Sequence, residues 1–394
     1  MSRPAVPEFA MSRKPTLDRR AATPAKADTK RAPTLAGLRA DIDRIDKELV
    51  DLLNRRAQIA AAIGQIKEAE GIEVWSQARE EEVITRALAL SQGPLPPETV
   101  RLIFRELMSG SRAIQRTLRV ASLGPKYSYS HMAAVVRFGK SAEHVPVGSI
   151  AAVFEEVNRG HVQFGLVPLE NSIDGRVTDT LEMFIRLPNI KIRGEVRLRI
   201  HHCLMAKCAW GQVQRVYSKA QALSQCRHWL GKNLPQARPV EVISTAAAAE
   251  HAAREEFASA IASRPAADAY GLKVLAANIE DQAHNVTRFA VISEQSERRT
   301  GKDKTTLLMR LPNQAGSLVK ALALFEKGGL NLTFIESFPV PDATPDRDPS
   351  YLFFVDVEGH IEDESVKKVL DAVRKKCERL DVLGSYPRSD CIEN

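Results

Sequence analysis

From Leu38 the chain repeats apolar residues at steps of three and four, through Ile42, Ile45, Leu49, Leu52, Leu53, Ile59, Ile63 and Ile66. That period gives one apolar face over about eight turns and predicts a long helix, with Thr34 as its cap and Gly71 as its end. Two shorter helical stretches follow, from roughly Ser76 to Leu90, closed by Gly93-Pro94-Leu95-Pro96-Pro97, and from about Glu98 to Gln115. Strand signals are almost missing, so residues 34–117 read as an all-α module of unequal helices.

At Leu118 the pattern changes. Short apolar runs at 118–123, 162–169, 190–206, 213–217, 240–243, 258–262 and 289–292 predict strands, and 130–138, 149–158, 221–230 and 245–255 predict helices between them. Such alternation predicts an α/β domain over 118–293, large enough for two lobes around a cleft, with ligands at loops after the strands' carboxyl ends. Ser293 to Lys304 is polar and reads as a linker. Beyond it, 304–311, 316–327, 331–339, 351–357, 362–376 and 379–386 follow the order βαββαβ, which predicts a ferredoxin-like α+β unit over 304–390.

The 394 residues are 44% hydrophobic and 27% charged, a globular composition, and no window approaches the ~18 apolar residues of a membrane helix. The formal charge of +7 suggests nucleic-acid binding until it is located: five of the seven net positive charges lie in residues 1–33. That basic tail has few large apolar residues and reads as disordered and solvated, without the apolar region of a targeting signal. Neither nucleic acid nor a membrane is expected as a partner. Cys203, Cys208, Cys226, Cys377 and Cys391 are scattered and never spaced CxxC, which supports no disulfide framework or zinc ribbon and fits the cytoplasm.

Arg39, Arg56 and Lys67 fall among the apolar positions of the long helix. Lys67 follows Arg56 by about three turns, so the two project from nearly the same face roughly 16 Å apart and could bracket a small anion. Arg39 lies about 25 Å from Arg56, turned by roughly 100°, and reaches the same ligand only from a second, antiparallel chain. Read as solvated helix charges, the three need no ligand.

With Arg79-Glu80, Ser111 and Gln115, this segment resembles the all-helical chorismate mutases, in which two intertwined chains form two sites. The resemblance implies that Arg39, supplied across a dimer, joins Arg56 and Arg79 in holding the substrate carboxylates, and that Ser111 supports them. It also implies that Lys67 and Gln115 take the ether oxygen and Glu80 the hydroxyl. Ser76 departs from the aspartate usual three residues before the arginine. A Claisen rearrangement needs no nucleophile or proton shuttle, so cations and an amide suffice to select the folded conformer and stabilise the developing charge.

In the α/β segment, Gly124-Pro125-Lys126-Tyr127-Ser128-Tyr129-Ser130-His131 follows the first strand, Glu170-Asn171-Ser172 ends a later one, and Asn285-Val286-Thr287-Arg288-Phe289 opens the last. The first is a turn into a helix whose free N–H groups suit a carboxylate. These motifs, with Tyr217-Ser218, Gln225-Cys226 and Ser244-Thr245, resemble the prephenate dehydratases, which implies two periplasmic-binding-protein-like lobes with prephenate between them. Arg288 would then grip a carboxylate, Thr287 would assist departure of the hydroxyl, and Asn171, Ser172, Ser218 and Gln225 would orient the ring. Tyr127 stands where glycine is usual, and Lys219-Ala220 replaces His-Pro. Glu170 reads equally as a backbone-capping glutamate. His131, His201 and His202 lack the spacing of a metal site, and neither metal nor cofactor is implied.

Gly316-Ser317-Leu318-Val319, Asn331-Leu332 and Glu336-Ser337-Phe338-Pro339 resemble the ACT regulatory domain, which implies phenylalanine bound between paired copies at Gly316, Leu318, Asn331, Leu332, Glu336 and Ser337. Phe338 stands where the family commonly has arginine. Together the resemblances imply a bifunctional enzyme of phenylalanine synthesis that takes chorismate through prephenate to phenylpyruvate, working as a homodimer or higher homo-oligomer. Two other readings stay open: an arogenate dehydratase with an attached mutase, and a non-catalytic amino-acid sensor.

Overall fold

The computed structural model describes residues 34–339 and 351–392; the tail read at 1–33 lies outside them. Its helices begin with α1 (Leu35–Ala69), α2 (Gln77–Leu90) and α3 (Pro97–Gln115). Thr34 caps α1, its Oγ1 accepting the Gly37 N–H at 3.1 Å. At the other end Gly71 takes a left-handed φ of +66°, and Ile72 N–H returns to Lys67 O at 2.8 Å, closing the helix.

Contacts divide the chain at Arg55–Arg56 into two compact units. The first is the beginning of α1, on which Leu38, Ile42, Ile45, Leu49 and Leu52 are all exposed. The second holds everything from Arg56 onward.

In the second unit the α/β region contains β1 (Arg119–Leu123), α4 (Tyr129–Phe138), β2 (Glu143–Val147), α5 (Ile150–Asn158), β3 (Phe164–Asn171), β4 (Gly175–Arg176), α6 (Thr178–Arg186) and β5 (Lys191–Arg199). After β5 come β6 (Cys203–Ala206), β7 (Arg215–Ser218), α7 (Ala220–Gln225), α8 (Arg227–Asn233), β8 (Arg238–Glu241) and α9 (Thr245–Arg254). The region ends with β9 (Ala258–Ala262), α10 (Arg264–Tyr270), β10 (Lys273–Ala276) and β11 (Val286–Ser293). The C-terminal region adds β12 (Asp303–Arg310), α11 (Ser317–Lys327), β13 (Leu332–Pro339), β14 (Tyr351–Glu358), α12 (Glu364–Arg374), β15 (Arg379–Pro387) and β16 (Cys391–Ile392).

These strands form three sheets, ordered β16-β5-β11-β3-β1-β2 with β4 beside β3, β10-β6-β9-β7-β8, and β13-β14-β12-β15. The chain leaves the first sheet after β5 and returns to it as β11, so the α/β region has two lobes joined by two crossings. The run 190–206 is therefore two strands rather than one: Ile200–His202 carries the chain between sheets. The helix expected over 221–230 likewise breaks at Cys226 into α7 and α8.

Two predicted boundaries change character. The stretch 293–304 is not a solvated linker, because Glu297 within it is only 4% exposed and its carboxylate pairs with Arg193 at 2.9 Å. The C-terminal sheet is likewise no free appendage. Its Leu308, Phe338, Leu352 and Phe354 enter the same buried cluster as Phe154, Phe184 and Ile192 of the α/β region. Only glycine fits at 384, where a Cβ would overlap the Ile192 backbone.

Candidate active sites

A cavity of about 720 Å³ is lined by Arg56 and Lys67 of α1, Arg79 and Glu80 of α2, and Ser111, Arg112 and Gln115 of α3. The structure thus gathers the residues expected from the sequence, apart from Arg39, which lies exposed in the first unit. Arg56 Nη1 donates to Ser111 Oγ at 2.6 Å, and that hydroxyl donates to Leu107 O at 2.7 Å, so Ser111 holds the arginine in place. Gln115 reaches the cavity because α1 has a glycine opposite: a Cβ on Gly64 would stand 2.7 Å from Gln115 Cγ. Among the described residues the buried Gln115 Oε1 has no hydrogen-bond partner.

Two members are more engaged than the sequence suggested. Glu80 pairs with Arg112 and accepts Trp75 Nε1–H at 3.2 Å, so its carboxylate is already oriented. Burial, then repulsion from Arg137, lowers the Arg112 pKa to about 10. Lys67 donates to Val74 O at 3.0 Å, and burial, followed by Arg298 and Arg79, holds its pKa below the ordinary lysine value. Ser76 caps α2 by accepting the Arg79 N–H and donates its own proton to Glu297 Oε1 at 2.9 Å.

A second cavity, of about 770 Å³, lies between the two lobes. Its chemistry follows from one register. Strands β11 and β3 pair Thr287 with Asn171 and Arg288 with Glu170. Successive side chains leave a strand on opposite faces, so the first pair faces the cleft and the second turns away from it. Thr287 Oγ1 accepts from Asn171 Nδ2 at 2.9 Å, which leaves the threonine proton free to point into the cleft. Asn171 also donates to Asn285 Oδ1, and Asn285 donates to Gln225 Oε1, both at 2.8 Å. Gln225 Nε2 donates to Asp174 Oδ2 at 2.7 Å, and its Oε1 meets His202 Nε2 at 2.9 Å. Burial lowers the His202 pKa, so the ring is neutral here and donates through Nε2.

Lys126 and Lys219 stand at the mouth of the cleft, with the N-terminal ends of α4 and α9, capped by Ser128 and Ser244, in its wall. Tyr127 takes a φ of +67°, the backbone that makes glycine usual at this position, and meets Tyr270 of the other lobe edge-on with ring centroids 6.1 Å apart. Burial, then His144 and Lys126, lower the His131 pKa to about 4.

Three expected ligands are placed elsewhere. Ser218 is fully buried and donates to Ile261 O at 2.7 Å. Ser172 spans two strand ends, donating to His284 O and accepting from Val286 N–H. Arg288 does not line the cleft: it is buried on the opposite face, with Nε 2.9 Å from Glu195 and Nη2 2.5 Å from Asp356 and 3.0 Å from Tyr386 Oη. Lys304 completes this cluster 2.5 Å from Glu195. Burial would lower the Arg288 pKa, but Tyr386, Asp356 and Glu195 raise it, so it stays charged. The cluster bolts β11 to β12 and β14 of the C-terminal sheet. Asp356→Asn should therefore lower stability by about 3–5 kcal/mol, because two buried cations then share one fully buried carboxylate, Glu195. Denaturant unfolding checks this, and a loss below 1 kcal/mol would show that the pairing contributes little.

In the C-terminal region Gly316 precedes α11 with a φ of +80°; Ser317 N–H bonds Gln314 O at 3.1 Å, no side chain caps the helix, and Val319 is exposed. Leu318 lies on this first turn; Asn331 and Leu332 open β13. Glu336 pairs with Arg176 of β4, whose Nη1 also donates to Ser337 O at 2.8 Å, while Phe338 is buried in the shared core. Arg112, Asp174 and Arg176 carry no signal in the sequence; Asn285 stands in the motif two residues before Thr287, and His202 is weighed there only as a metal ligand.

Two cavities suited to small anions share one chain, the first cationic and without a nucleophile set against a base, the second lined by amides and a free hydroxyl. This is a two-site enzyme for small carboxylic acids joined to a C-terminal sheet. Family models match in that order: chorismate mutase type II over residues 38–116, prephenate dehydratase over 120–297 and the ACT domain over 305–375. A bifunctional chorismate mutase/prephenate dehydratase of Aquifex aeolicus is 43% identical over 360 residues, 90% of this chain and 98% of its own. The solved prephenate dehydratase of Arthrobacter aurescens in complex with L-Phe has 32% identity and a TM-score of 0.63, over 69% of this chain and 90% of its own. A protein described as a novel type of quorum-quenching acylase aligns with 30% identity and a TM-score of 0.62, over 69% of this chain and 98% of its own. The chain belongs to the family of bifunctional chorismate mutase/prephenate dehydratases.

Proposed function

We propose that the helical cavity rearranges chorismate to prephenate and that the interlobe cleft converts prephenate to phenylpyruvate, with phenylalanine acting on the C-terminal domain. The observation that carries this reading is the Thr287–Asn171 pair, which aims a free hydroxyl proton into a cleft flanked by Lys126 and Lys219. The mutase module on the same chain favours the dehydratase reading over an acylase.

In the mutase cavity Arg56 and Arg79 bind the two carboxylates, Ser111 steadies Arg56, and Glu80 takes the hydroxyl. Lys67 and Gln115 stabilise the negative charge that grows on the ether oxygen as the C–O bond breaks. Arg39 serves the site of a second chain. The exposed apolar row Leu38, Ile42, Ile45, Leu49 and Leu52 supports such a homodimer, since apolar residues at this spacing are normally covered. Mixing Arg39→Ala with Arg56→Ala chains, after confirmed subunit exchange, should restore mutase activity that neither possesses alone. Inactive exchanged mixtures would overturn the shared site.

In the dehydratase cleft the two lysines and the helix N-termini hold the carboxylates. The ring carboxylate leaves as CO₂, its electron pair enters the ring, and the C4 hydroxyl departs as water with the Thr287 proton, which solvent restores. Aromatisation drives the step, so a weak, well-placed donor suffices. Asn171 and Gln225 orient the ring; Ser172 and Ser218 support the strands that carry them.

The βαββαβ unit is ferredoxin-like in its strand order, and phenylalanine binds between two copies at Gly316, Leu318, Asn331, Leu332, Glu336 and Ser337. The Leu318 and Val319 N–H groups in the first turn of α11, which no side chain caps, supply its carboxylate site. Incubating the purified protein with chorismate tests the whole reading: phenylpyruvate should form through prephenate, and formation of neither would overturn it.

A further inference from the structure

The segment between β11 and β12 returns to the helical module. Its Glu297 accepts from Ser76 at the start of α2 and from Arg193 of β5, each at 2.9 Å, and Arg193 also pairs with Glu73 and donates to Trp75 O. This clamp fixes the next residue, whose backbone N–H bonds Glu297 Oε1 at 3.3 Å. The Arg298 side chain is exposed and lines the same cavity as Arg56, Lys67 and Arg79. Among the described residues it forms no ion pair. Its charge weighs on Lys67 more than that of Arg79 does. Like charges gathered around one cavity repel until an anion enters, so the arrangement is suited to a dianion.

We propose that Arg298, delivered by the segment that joins the dehydratase and ACT regions, binds a substrate carboxylate in the mutase cavity. The inference rests on the mutase reading of that cavity and adds a ligand from outside the three helices, 182 residues beyond the end of the matched mutase model at residue 116. It also makes the completed mutase site depend on how the C-terminal region is seated, because the clamp that aims Arg298 lies between β11 and β12.

The test uses the full chain with Arg298→Gln, and Arg299→Gln as its control. Arg299 also loses one charge but pairs with Asp363 at 2.5 Å and does not line the cavity. Arg298→Gln should raise the chorismate KM roughly ten- to hundredfold with a smaller change in kcat, the size expected for one charge-assisted contact. Arg298→Lys should recover part of this, and turnover of added prephenate at the wild-type rate reports an intact fold. Arg299→Gln should leave KM within twofold. An unchanged KM in Arg298→Gln, or an equal rise in Arg299→Gln, overturns the inference. Arg56→Ala separates the failures: if it abolishes rearrangement while Arg298→Gln does not alter KM, only this inference falls, whereas a wild-type chain that consumes no chorismate overturns the mutase reading as well.

Discussion

Lys67→Ala is expected to lower chorismate rearrangement by about 30- to 1000-fold while prephenate turnover is kept. The side chain lines the mutase cavity and, among the described residues, bonds only a backbone carbonyl, Val74 O, so its charge is available to the ether oxygen as that atom becomes negative. A contact made mainly in the transition state contributes roughly 2–4 kcal/mol, which sets the range. The loss should appear in kcat and kcat/KM together. The wild-type pH profile offers a second check. Lys67 acts in its protonated form, and burial, Arg298 and Arg79 lower its pKa, so kcat/KM should fall on the alkaline side at a lower pH than an ordinary lysine would give. The other charged groups that face it around the cavity are Arg56, Arg79, Arg298, Glu73 and Glu80. Retention of rearrangement in Lys67→Ala would remove the residue from the mechanism, and loss of both activities in a folded variant would show that the two sites are not separate.

The long helix, its cap and its glycine end were legible because a period of three and four persists over many turns, and local caps need only neighbouring residues. So were Arg56, Lys67 and Gln115, which share one cavity. What escaped was set by pairing at a distance. Thr287 and Arg288 are adjacent in sequence, and the motif alone gives no reason to send them to opposite faces. The register with Asn171 and Glu170 does so, placing the hydroxyl in the cleft and the guanidinium against Asp356, a residue of another sheet. Glu297 was misread for a related reason. A polar run looks like a solvated joint unless Arg193, more than a hundred residues earlier, is known to meet it. Phe338, a departure from the family pattern at an arginine position, is buried among core residues, and Arg176 from β4 reaches the neighbouring Glu336 and Ser337. Neither partner stands near the other in the chain.

Thr287→Val should reduce dehydratase kcat by about 10²- to 10⁴-fold and leave the prephenate KM nearly unchanged, the span usual for a positioned proton donor. Valine keeps the branched shape and the β-strand preference, so β11 should keep its place between β3 and β5. The packing cost is small, because Asn171 Nδ2 loses one acceptor and keeps the other, Asn285 Oδ1. What disappears is the proton that the Asn171 contact leaves free to meet the departing hydroxyl. Two nearby titratable groups do not replace it: Glu170 lies on the other face of the strand beside Arg288, and His202 already spends its Nε2 proton on Gln225. Thr287→Ser supplies the discriminating comparison, since it restores the hydroxyl without the methyl group and should recover most of kcat. Chorismate rearrangement by the same valine variant, followed as prephenate accumulation, reports that the chain is folded. Near-normal phenylpyruvate formation in Thr287→Val, or serine as poor as valine, would mean that the hydroxyl leaves without help from this strand and that aromatisation alone, in a correctly shaped cleft, carries the reaction.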